Sequence, residues 1–245
     1  MSVVNMKASW GSVTSWLFEE VVAAGIDSFY ERAVQEVAVE VTDGVKILEV
    51  GCGQGQLAVR LAQRLPSCSV IGIDQSPEMI RRAVARSPRL PNLELRRADV
   101  MSLPFADDQF AMVLAVASIK HWIDRLRGVQ EMLRVLVPGG KMGIVDVDRD
   151  CSRARATRFV EKWRHIPPSS IPFLAKYFQS VVAHQSISLD ELVGVLTRAG
   201  VVGLEARRYA DLPFVFARAA KPQGSALAPG GDETPGAGEV DGAAR

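Results

Sequence analysis

The sequence has few cysteines, almost no net charge and no long apolar run, and each of these absences argues against a class of protein. Its three cysteines, Cys52, Cys68 and Cys151, are too far apart for a zinc site or a redox pair. An odd number of widely spaced cysteines is typical of free thiols in a reducing compartment, so we predict a cytoplasmic protein without a metal site. The net charge of +1 offers no basic surface of the kind that binds duplex nucleic acid.

The sequence also shows no pattern typical of a membrane span or a secretory leader. The longest apolar run, Phe110 to Ala117, is far too short to span a bilayer. Glu19 and Glu20 interrupt anything that resembles a secretory leader. With 48% hydrophobic and 23% charged residues, the composition is that of a globular protein that buries a sizeable core.

From Gly44 onward, short apolar segments alternate with helical ones, which is typical of βαβ units in a parallel sheet. Strands are predicted at residues 45–50, 69–74, 93–97, 110–117 and 141–147, with helices at 56–65, from Pro77 and at 124–136. Two further strands, at 201–208 and 213–219, are joined too closely to run parallel. The predicted fold is a doubly wound, Rossmann-like α/β fold. It has a seven-stranded, mostly parallel sheet with a reversed C-terminal β-hairpin and helices on both faces.

The first strand runs directly into a glycine-rich turn, Glu49-Val50-Gly51-Cys52-Gly53-Gln54-Gly55, and a helix follows at once. Glycines at such a turn let the backbone approach a ligand, although a tight turn can require glycine for its geometry alone. Asp74 ends the second strand, where a carboxylate can accept hydrogen bonds from both hydroxyls of a ribose. Asp99 follows the third strand and could accept from an adenine amine while Val100 packs on the ring.

The spacing of the glycines distinguishes this turn from a dinucleotide site. A dinucleotide fingerprint would have its third glycine at position 56, which is Gln56, whereas here that glycine is Gly55. A ligand made of adenine, ribose and a zwitterionic amino acid accounts for the turn and both aspartates without a phosphate.

Together these segments resemble the class I S-adenosylmethionine-dependent methyltransferases. The glycine turn is similar to the family's first motif, Asp74 to its second and Asp99 to its third. The string LRVLVPGG at 133–140 is similar to the stretch before the family's fifth strand, and residues 118–124 to its segment after the fourth. Three positions depart from the family's pattern: Gln54 replaces a small hydroxyl residue, Ala111 a common aspartate and Lys120 a frequent histidine.

The resemblance implies that S-adenosyl-L-methionine is the cofactor, held across the carboxyl ends of the strands. Glu49 would help to hold its amino group, Asp74 its ribose, and Asp99 with Val100 its adenine. The implied cofactor-binding residues are Glu49, Gly51, Cys52, Gly53, Gly55, Asp74, Gln75, Met79, Asp99, Val100 and Ala117.

His121, in the segment after the fourth strand, is the candidate catalytic residue as a general base. The alternative is a histidine that only packs or hydrogen-bonds in its loop. Asp146 and Asp148, near the end of the fifth strand, either face the cleft or are ordinary solvated loop residues.

The substrate pocket is expected to come from segments added to this core. Residues 1–44 are predicted to form N-terminal helices, at 12–24 and from Ser28, that cover the cleft. The methyltransferase domain would span 45–220 and include a helical insert at 153–185. Residues 221–245, with six glycines and three prolines, are predicted to be a disordered tail.

The predicted function is transfer of a methyl group to an oxygen, nitrogen or carbon atom of a small-molecule acceptor. Two alternatives stay open at this point. One is an enzyme of the same fold that uses the cofactor for a non-methylating reaction, such as cyclisation or decarboxylation. The other is a non-catalytic binding subunit. The sequence identifies neither the acceptor nor the oligomeric state.

Overall fold

A computed structural model describes residues 30–31, 34, 42–163 and 165–223 of the chain. The predicted helices at 12–24 and from Ser28 lie outside the described residues, apart from the helical Tyr30, Glu31 and Val34. Val34 is buried in the core, and the Glu31 carboxylate pairs with Arg60 at 3.4 Å. Residues 224–245 of the predicted tail also lie outside the described part.

The described residues contain one sheet of seven strands. They are β1 (Lys46–Val50), β2 (Ser69–Asp74), β3 (Leu93–Arg97), β4 (Phe110–Val116), β5 (Leu136–Val147), β6 (Val202–Arg208) and β7 (Phe214–Ala220). Their order is β3-β2-β1-β4-β5-β7-β6, and the first five run parallel. β7 pairs antiparallel with both β5 and β6. The seven-stranded sheet with a reversed hairpin is therefore confirmed.

Helices cover both faces of this sheet. They are α1 (Gln56–Arg64), α2 (Pro77–Arg86), α3 (Arg125–Val135), α4 (Arg153–Val160), α5 (Ile171–Tyr177) and α6 (Leu189–Ala199). Short helical turns occur at Ile119–His121 and Pro168–Ser170, and a π-helical turn at Phe178–Ala183. One core cluster contains residues of α1, α4 and α5, whereas a second contains residues of α3 and α6.

Side-chain caps fix where several helices begin. The Ser76 hydroxyl accepts a hydrogen bond from the Met79 N–H at 3.3 Å, and Pro77 occupies the first helical position of α2. Ser188 caps α6 in the same way through the Glu191 N–H, and α6 ends at Gly200 with a φ of 83°. The Ser76 N–H also donates to Asp74 at 2.8 Å, so this cap lies beside the predicted ribose position.

The start of β5 and the end of the folded chain differ from the sequence prediction. The helix before β5 ends at Val135, and the strand begins at Leu136, so Pro138-Gly139-Gly140 lies inside the strand. The Gly139 N–H donates to the Lys221 carbonyl at 3.0 Å, and the Lys221 N–H donates to the Gly140 carbonyl at 2.9 Å. Lys221, the first residue of the predicted tail, therefore belongs to the folded part.

Candidate active site

The turn after β1 is built against the turn after β4. The N–H groups of Gly51 and Cys52 both donate to the Ile73 carbonyl at 2.8 Å. Gly51 has a φ of +73°, and a Cβ there would lie 2.4 Å from the Ser118 Cβ, so only glycine fits. The Ser118 hydroxyl donates to the Val50 carbonyl at 3.0 Å. The two turns are therefore in direct contact at the carboxyl edge of the sheet.

Asp74 joins the glycine turn to the start of α2. Its Oδ2 accepts from the Gly53 N–H at 3.0 Å, and its Oδ1 accepts from the Ser76 N–H at 2.8 Å. Each carboxylate oxygen keeps one further lone pair for a ligand. Gly53 has a φ of +53°, and a Cβ there would meet no atom of the described residues within 4 Å. As far as these residues show, the space in front of the turn is open, as a bound ligand would require.

Glu49 is a buried carboxylate with an unsatisfied oxygen. It is only 2% exposed, and its Oε2 has no hydrogen-bond partner within the described part of the chain. Burial raises the pKa of Glu49 to about 8, and the charge of Asp74 adds to this, whereas a backbone hydrogen bond from Ala58 opposes it. A buried carboxylate with a free oxygen fits a cationic or hydrogen-bond-donating ligand group.

The remaining residues of the glycine turn have structural explanations. Burial and the charges of Glu49 and Asp74 raise the pKa of the Cys52 thiol, so Cys52 stays protonated and is a poor nucleophile. Gln54, which replaces a hydroxyl residue of the family pattern, is buried and accepts a hydrogen bond from Arg86 of α2. Gly55 precedes α1 with a φ of +79°.

On the predicted adenine side, Asp99 is exposed and its Oδ1 accepts from the Met101 N–H at 2.9 Å. Val100 is partly buried against the second core cluster. Gln75, also exposed, receives a hydrogen bond on its carbonyl from Arg97 at 3.1 Å. These side chains follow neighbouring strands and lie along one edge.

Sequence reasoning missed the residue that holds this edge in place. Arg134, in the LRVLVPGG string, donates to the carbonyls of Leu103 and Phe105 at 3.0 and 2.8 Å. It also pairs with Glu131 at 2.9 Å, and Glu131 accepts from the Leu103 N–H at 2.8 Å. The loop after Asp99 is therefore fastened to α3. The sequence marks the string as a family motif, but the role of its arginine depends on partners that only the fold brings together.

The predicted catalytic residue lies on the turn after β4. Ala117 has a φ of +54°, and its N–H donates to the Val145 carbonyl at 2.7 Å. His121 ends the helical turn that follows and is exposed. Enough protein still surrounds the ring that desolvation is the largest cause lowering the pKa of His121. The charge of Lys120 also lowers it, whereas Asp146 and Asp74 raise it.

Asp146 and Asp148 are not solvated loop residues, because both carboxylates are fully buried. Asp146 pairs with Lys120 at 3.4 Å. Asp148 pairs with Arg155 at 3.1 Å and Arg208 at 3.0 Å. A buried carboxylate needs such partners because it has lost its hydration. Of the two, only Asp146 lies beside the turn that carries His121.

The other two histidines take no part in this arrangement. His165 and His184 are both exposed, and His165 has a φ of +61°. Over the described ranges, no cluster of three or more His, Cys, Asp or Glu side chains is arranged to hold a metal ion. No helix among those residues has both the length and the apolar character needed to cross a membrane.

Comparison with known proteins agrees with this geometry. Residues 47–140 match the family model described as a methyltransferase domain. The ubiquinone/menaquinone biosynthesis C-methyltransferase of Geotalea daltonii is 36% identical over 131 residues, 51% of this chain and 55% of that protein. An O-methyltransferase of Aspergillus sclerotiorum is 33% identical over 147 residues, 57% of this chain and 55% of that protein. The chain thus spans about half the length of these curated relatives.

A methyltransferase structure from Aquifex aeolicus shares the fold. It has a TM-score of 0.57 and 18% identity, over 77% of this chain and 89% of that one. The predicted resemblance to the class I S-adenosylmethionine-dependent methyltransferases is confirmed, because residues 47–140 match a methyltransferase domain and the curated relatives are methyltransferases. The cofactor of that class is S-adenosyl-L-methionine, and the residues at the carboxyl edge fit it, because the unpartnered Glu49 oxygen suits its amino group.

Proposed function

We propose that the whole protein transfers a methyl group from S-adenosyl-L-methionine to an oxygen, nitrogen or carbon atom of a small molecule. The observation that carries this is the buried, unpartnered Glu49 oxygen next to a glycine turn with open space in front of it. If the turn had only a structural role, a buried carboxylate without a hydrogen-bond partner would lower the stability of the protein. Relatives named as C- and O-methyltransferases support the reaction class.

The cofactor would be held by residues of four consecutive turns at the strand ends. Glu49 would pair with its amino group, Asp74 would accept from its ribose hydroxyls, and Asp99 would accept from its adenine amine. Val100 would pack against the adenine ring, and Met79 would pack near the ribose. The remaining proposed contacts are the backbones of Gly51, Cys52, Gly53 and Gly55, together with Gln75 and Ala117.

The bound sulfonium supplies a methyl group that is already activated, so the chain's main contribution is alignment of the acceptor. His121 is the proposed general base when the acceptor has to lose a proton. The lowered pKa of His121 keeps the ring neutral, and therefore able to accept a proton, at neutral pH. Asp74 and Asp146 oppose this shift only in part.

The acceptor would be enclosed by the insert at 153–185 and by residues 1–44. Within the insert, Phe173 and Tyr177 lie four residues apart on α5 and are 72% and 48% exposed. Exposed aromatic side chains four residues apart on one helix are a suitable wall for a partly apolar molecule. We also keep the cytoplasm as the proposed location, because all three cysteines are buried and free.

Two observations decide between the proposal and its alternatives. The protein is incubated with methyl-labelled S-adenosyl-L-methionine and a metabolite extract, and both S-adenosylhomocysteine and the label in the extract are measured. We expect the unmodified protein to form both products, and the Asp74→Asn variant to form both more slowly. Cofactor loss without S-adenosylhomocysteine would indicate the non-methylating reaction. Failure to bind S-adenosylhomocysteine in calorimetry would indicate the non-catalytic subunit.

A further inference from the structure

Asp146 is a fully buried carboxylate at the end of β5, next to the proposed acceptor position. Its Oδ1 accepts from the Val147 N–H at 2.7 Å and lies 3.4 Å from the Lys120 ammonium. Its Oδ2 lies 3.4 Å from the Lys120 N–H. Among the described residues, Lys120 is the one cation paired with this carboxylate. Lys120 is thus fixed by Asp146 at both its backbone and its side chain.

The Lys120 ammonium has hydrogen-bonding capacity that Asp146 does not use. An ammonium carries three N–H donors, and within the described part of the chain one acceptor lies near it, at the long distance of 3.4 Å. The side chain is 16% exposed, so it is drawn into the protein but not sealed from solvent. A partly desolvated cation with free donors is a suitable partner for an anionic oxygen.

Lys120 lies on the side of the cleft where we propose that the acceptor binds. Lys120 lies between Ser118, whose hydroxyl contacts the turn after β1, and His121, the proposed base. Ser118 packs directly against Gly51, because a Cβ on Gly51 would lie 2.4 Å from the Ser118 Cβ. The helical turn that carries Lys120 and His121 therefore lies beside the glycine turn of the proposed cofactor site.

We propose that Lys120, held in place by Asp146, binds the methyl acceptor, and that the acceptor carries an acidic hydroxyl group on an aromatic or enolic system. This rests on the methyltransferase function proposed above and adds the acceptor class to it. Lys120 donates a hydrogen bond to the hydroxyl oxygen and stabilises the negative charge that develops there. Asp146 is a positioning residue that acts through Lys120.

The proton and electrons balance in this arrangement. The acceptor hydroxyl gives its proton to the neutral His121 ring, and its oxygen keeps the electron pair. That pair, on the oxygen or on a conjugated ring carbon, forms the new bond to the methyl carbon. The carbon–sulfur bond breaks with its electron pair going to sulfur, so the sulfonium becomes a neutral thioether. When a ring carbon is methylated, that carbon then gives its proton to water, and the electron pair of the C–H bond restores the conjugated ring.

The competing explanation is that Lys120 only neutralises the buried Asp146. The double variant Lys120→Met/Asp146→Asn separates the two roles, because it removes the buried charge together with its partner. Lys221 and Asp108, which pair at 2.6 Å near the start of β5, provide a matched control through Lys221→Met/Asp108→Asn. Thermal unfolding establishes first that both double variants fold.

The test uses 4-nitrocatechol as the probe, whose ionised form has its own absorption band, and its dimethyl ether as the matched probe without an acidic hydroxyl. Both are titrated into the full chain saturated with S-adenosylhomocysteine. We expect 4-nitrocatechol to bind the unmodified protein in its ionised form. Binding by the Lys120→Met/Asp146→Asn protein should be about 10- to 100-fold weaker, which is typical of losing a charge-assisted hydrogen bond. The dimethyl ether should bind all three proteins alike.

Three results would overturn the proposal. One is equal affinity of the Lys120→Met/Asp146→Asn and unmodified proteins for 4-nitrocatechol, the second is no binding to the unmodified protein, and the third is the same loss in the control pair. The binding of S-adenosylhomocysteine itself keeps the two hypotheses distinguishable. If it binds but 4-nitrocatechol does not, the acceptor class is wrong and the methyltransferase function is unaffected. If it does not bind, the proposed function has failed.

Discussion

Asp74 is the residue whose substitution tests the cofactor site most directly. Its two oxygens accept from the N–H groups of Gly53 and Ser76 at 3.0 and 2.8 Å, and each oxygen has a lone pair left for a ribose hydroxyl. Asp74→Asn keeps the shape but has only one oxygen, so its amide nitrogen must face one of those donors. The variant therefore loses one of the two hydrogen bonds that Asp74 accepts inside the protein. The second hydrogen bond remains, but its acceptor is no longer charged.

The expected magnitude follows from these contacts. A hydrogen bond to a charged group contributes about 1.5–3 kcal/mol, so the free energy of unfolding should fall by about that amount. Loss of the ribose contact should raise the dissociation constant of S-adenosylhomocysteine by about 10- to 100-fold. Calorimetry and urea unfolding measure the two effects separately. Asp190→Asn, an exposed carboxylate in the first turn of α6, is the control for loss of one negative charge.

A ligand without the 2′-hydroxyl separates a ribose contact from a distorted turn. If Asp74 binds the ribose, 2′-deoxy-S-adenosylhomocysteine should bind the unmodified protein more weakly. It should then lose less affinity in Asp74→Asn than S-adenosylhomocysteine does, because one of the two hydroxyl contacts is already absent. Additive losses from the two changes would refute the ribose contact. A dissociation constant for S-adenosylhomocysteine that matches the Asp190→Asn control would refute any role of Asp74 in the site.

Three further predictions concern the same edge of the sheet. Between pH 4.5 and about 8, the free energy of unfolding of the cofactor-free protein should fall as pH rises. The reason is that native Glu49 retains a proton that the unfolded chain has released. Glu49→Gln should flatten this slope. Gly51→Ala should destabilise the protein by about 2 kcal/mol or more, because residue 51 has a left-handed backbone and the Ser118 side chain lies close to it. Gly194→Ala in α6 should instead stabilise the protein by about 0.5–1 kcal/mol. Urea unfolding measures both effects. His121→Ala should lower turnover without changing cofactor affinity, and the unmodified enzyme's rate should rise with pH through a midpoint below 6.5.

Each of these has an outcome that contradicts it. An equal pH slope in Glu49→Gln would mean that Glu49 is ionised in the native protein at neutral pH. Gly51→Ala that is as stable as Gly194→Ala would show that the turns after β1 and β4 are not in tight contact. Retention of most turnover by His121→Ala, with an unaltered pH profile, would remove His121 from the proton transfer and leave alignment as its only role.

Much of the fold could be predicted because the signals are local. β2 and β4 are short, mostly apolar runs, and Ser76 and Ser188 mark helix starts within four residues of sequence. The glycine turn is also local, since the geometry of Gly51 and Gly55 is fixed by the turn itself. The turn indicates the cofactor class only together with Asp74, Asp99 and the resemblance of these segments to the methyltransferases.

The surroundings of the acidic residues could not be predicted, because their partners are distant in sequence. Asp146 is buried with Lys120, 26 residues earlier, and Asp148 with Arg208, 60 residues later. A carboxylate at the end of a strand looks the same in sequence whether water or a cation faces it. For the same reason Lys221 was assigned to the tail, although it pairs with Asp108 across the sheet edge.

The buried Asp148 has a consequence for exchanging parts between related enzymes. Its carboxylate is shared by Arg155, at the entry to the insert, and Arg208, at the end of β6. If residues 153–185 alone were replaced by the insert of a relative, Asp148 would lose Arg155 and keep only Arg208. A buried carboxylate with one of its two cationic partners missing would destabilise the protein. The insert and the C-terminal hairpin are therefore coupled through Asp148, and a graft should keep its stability only when Arg155, Asp148 and Arg208 are moved together.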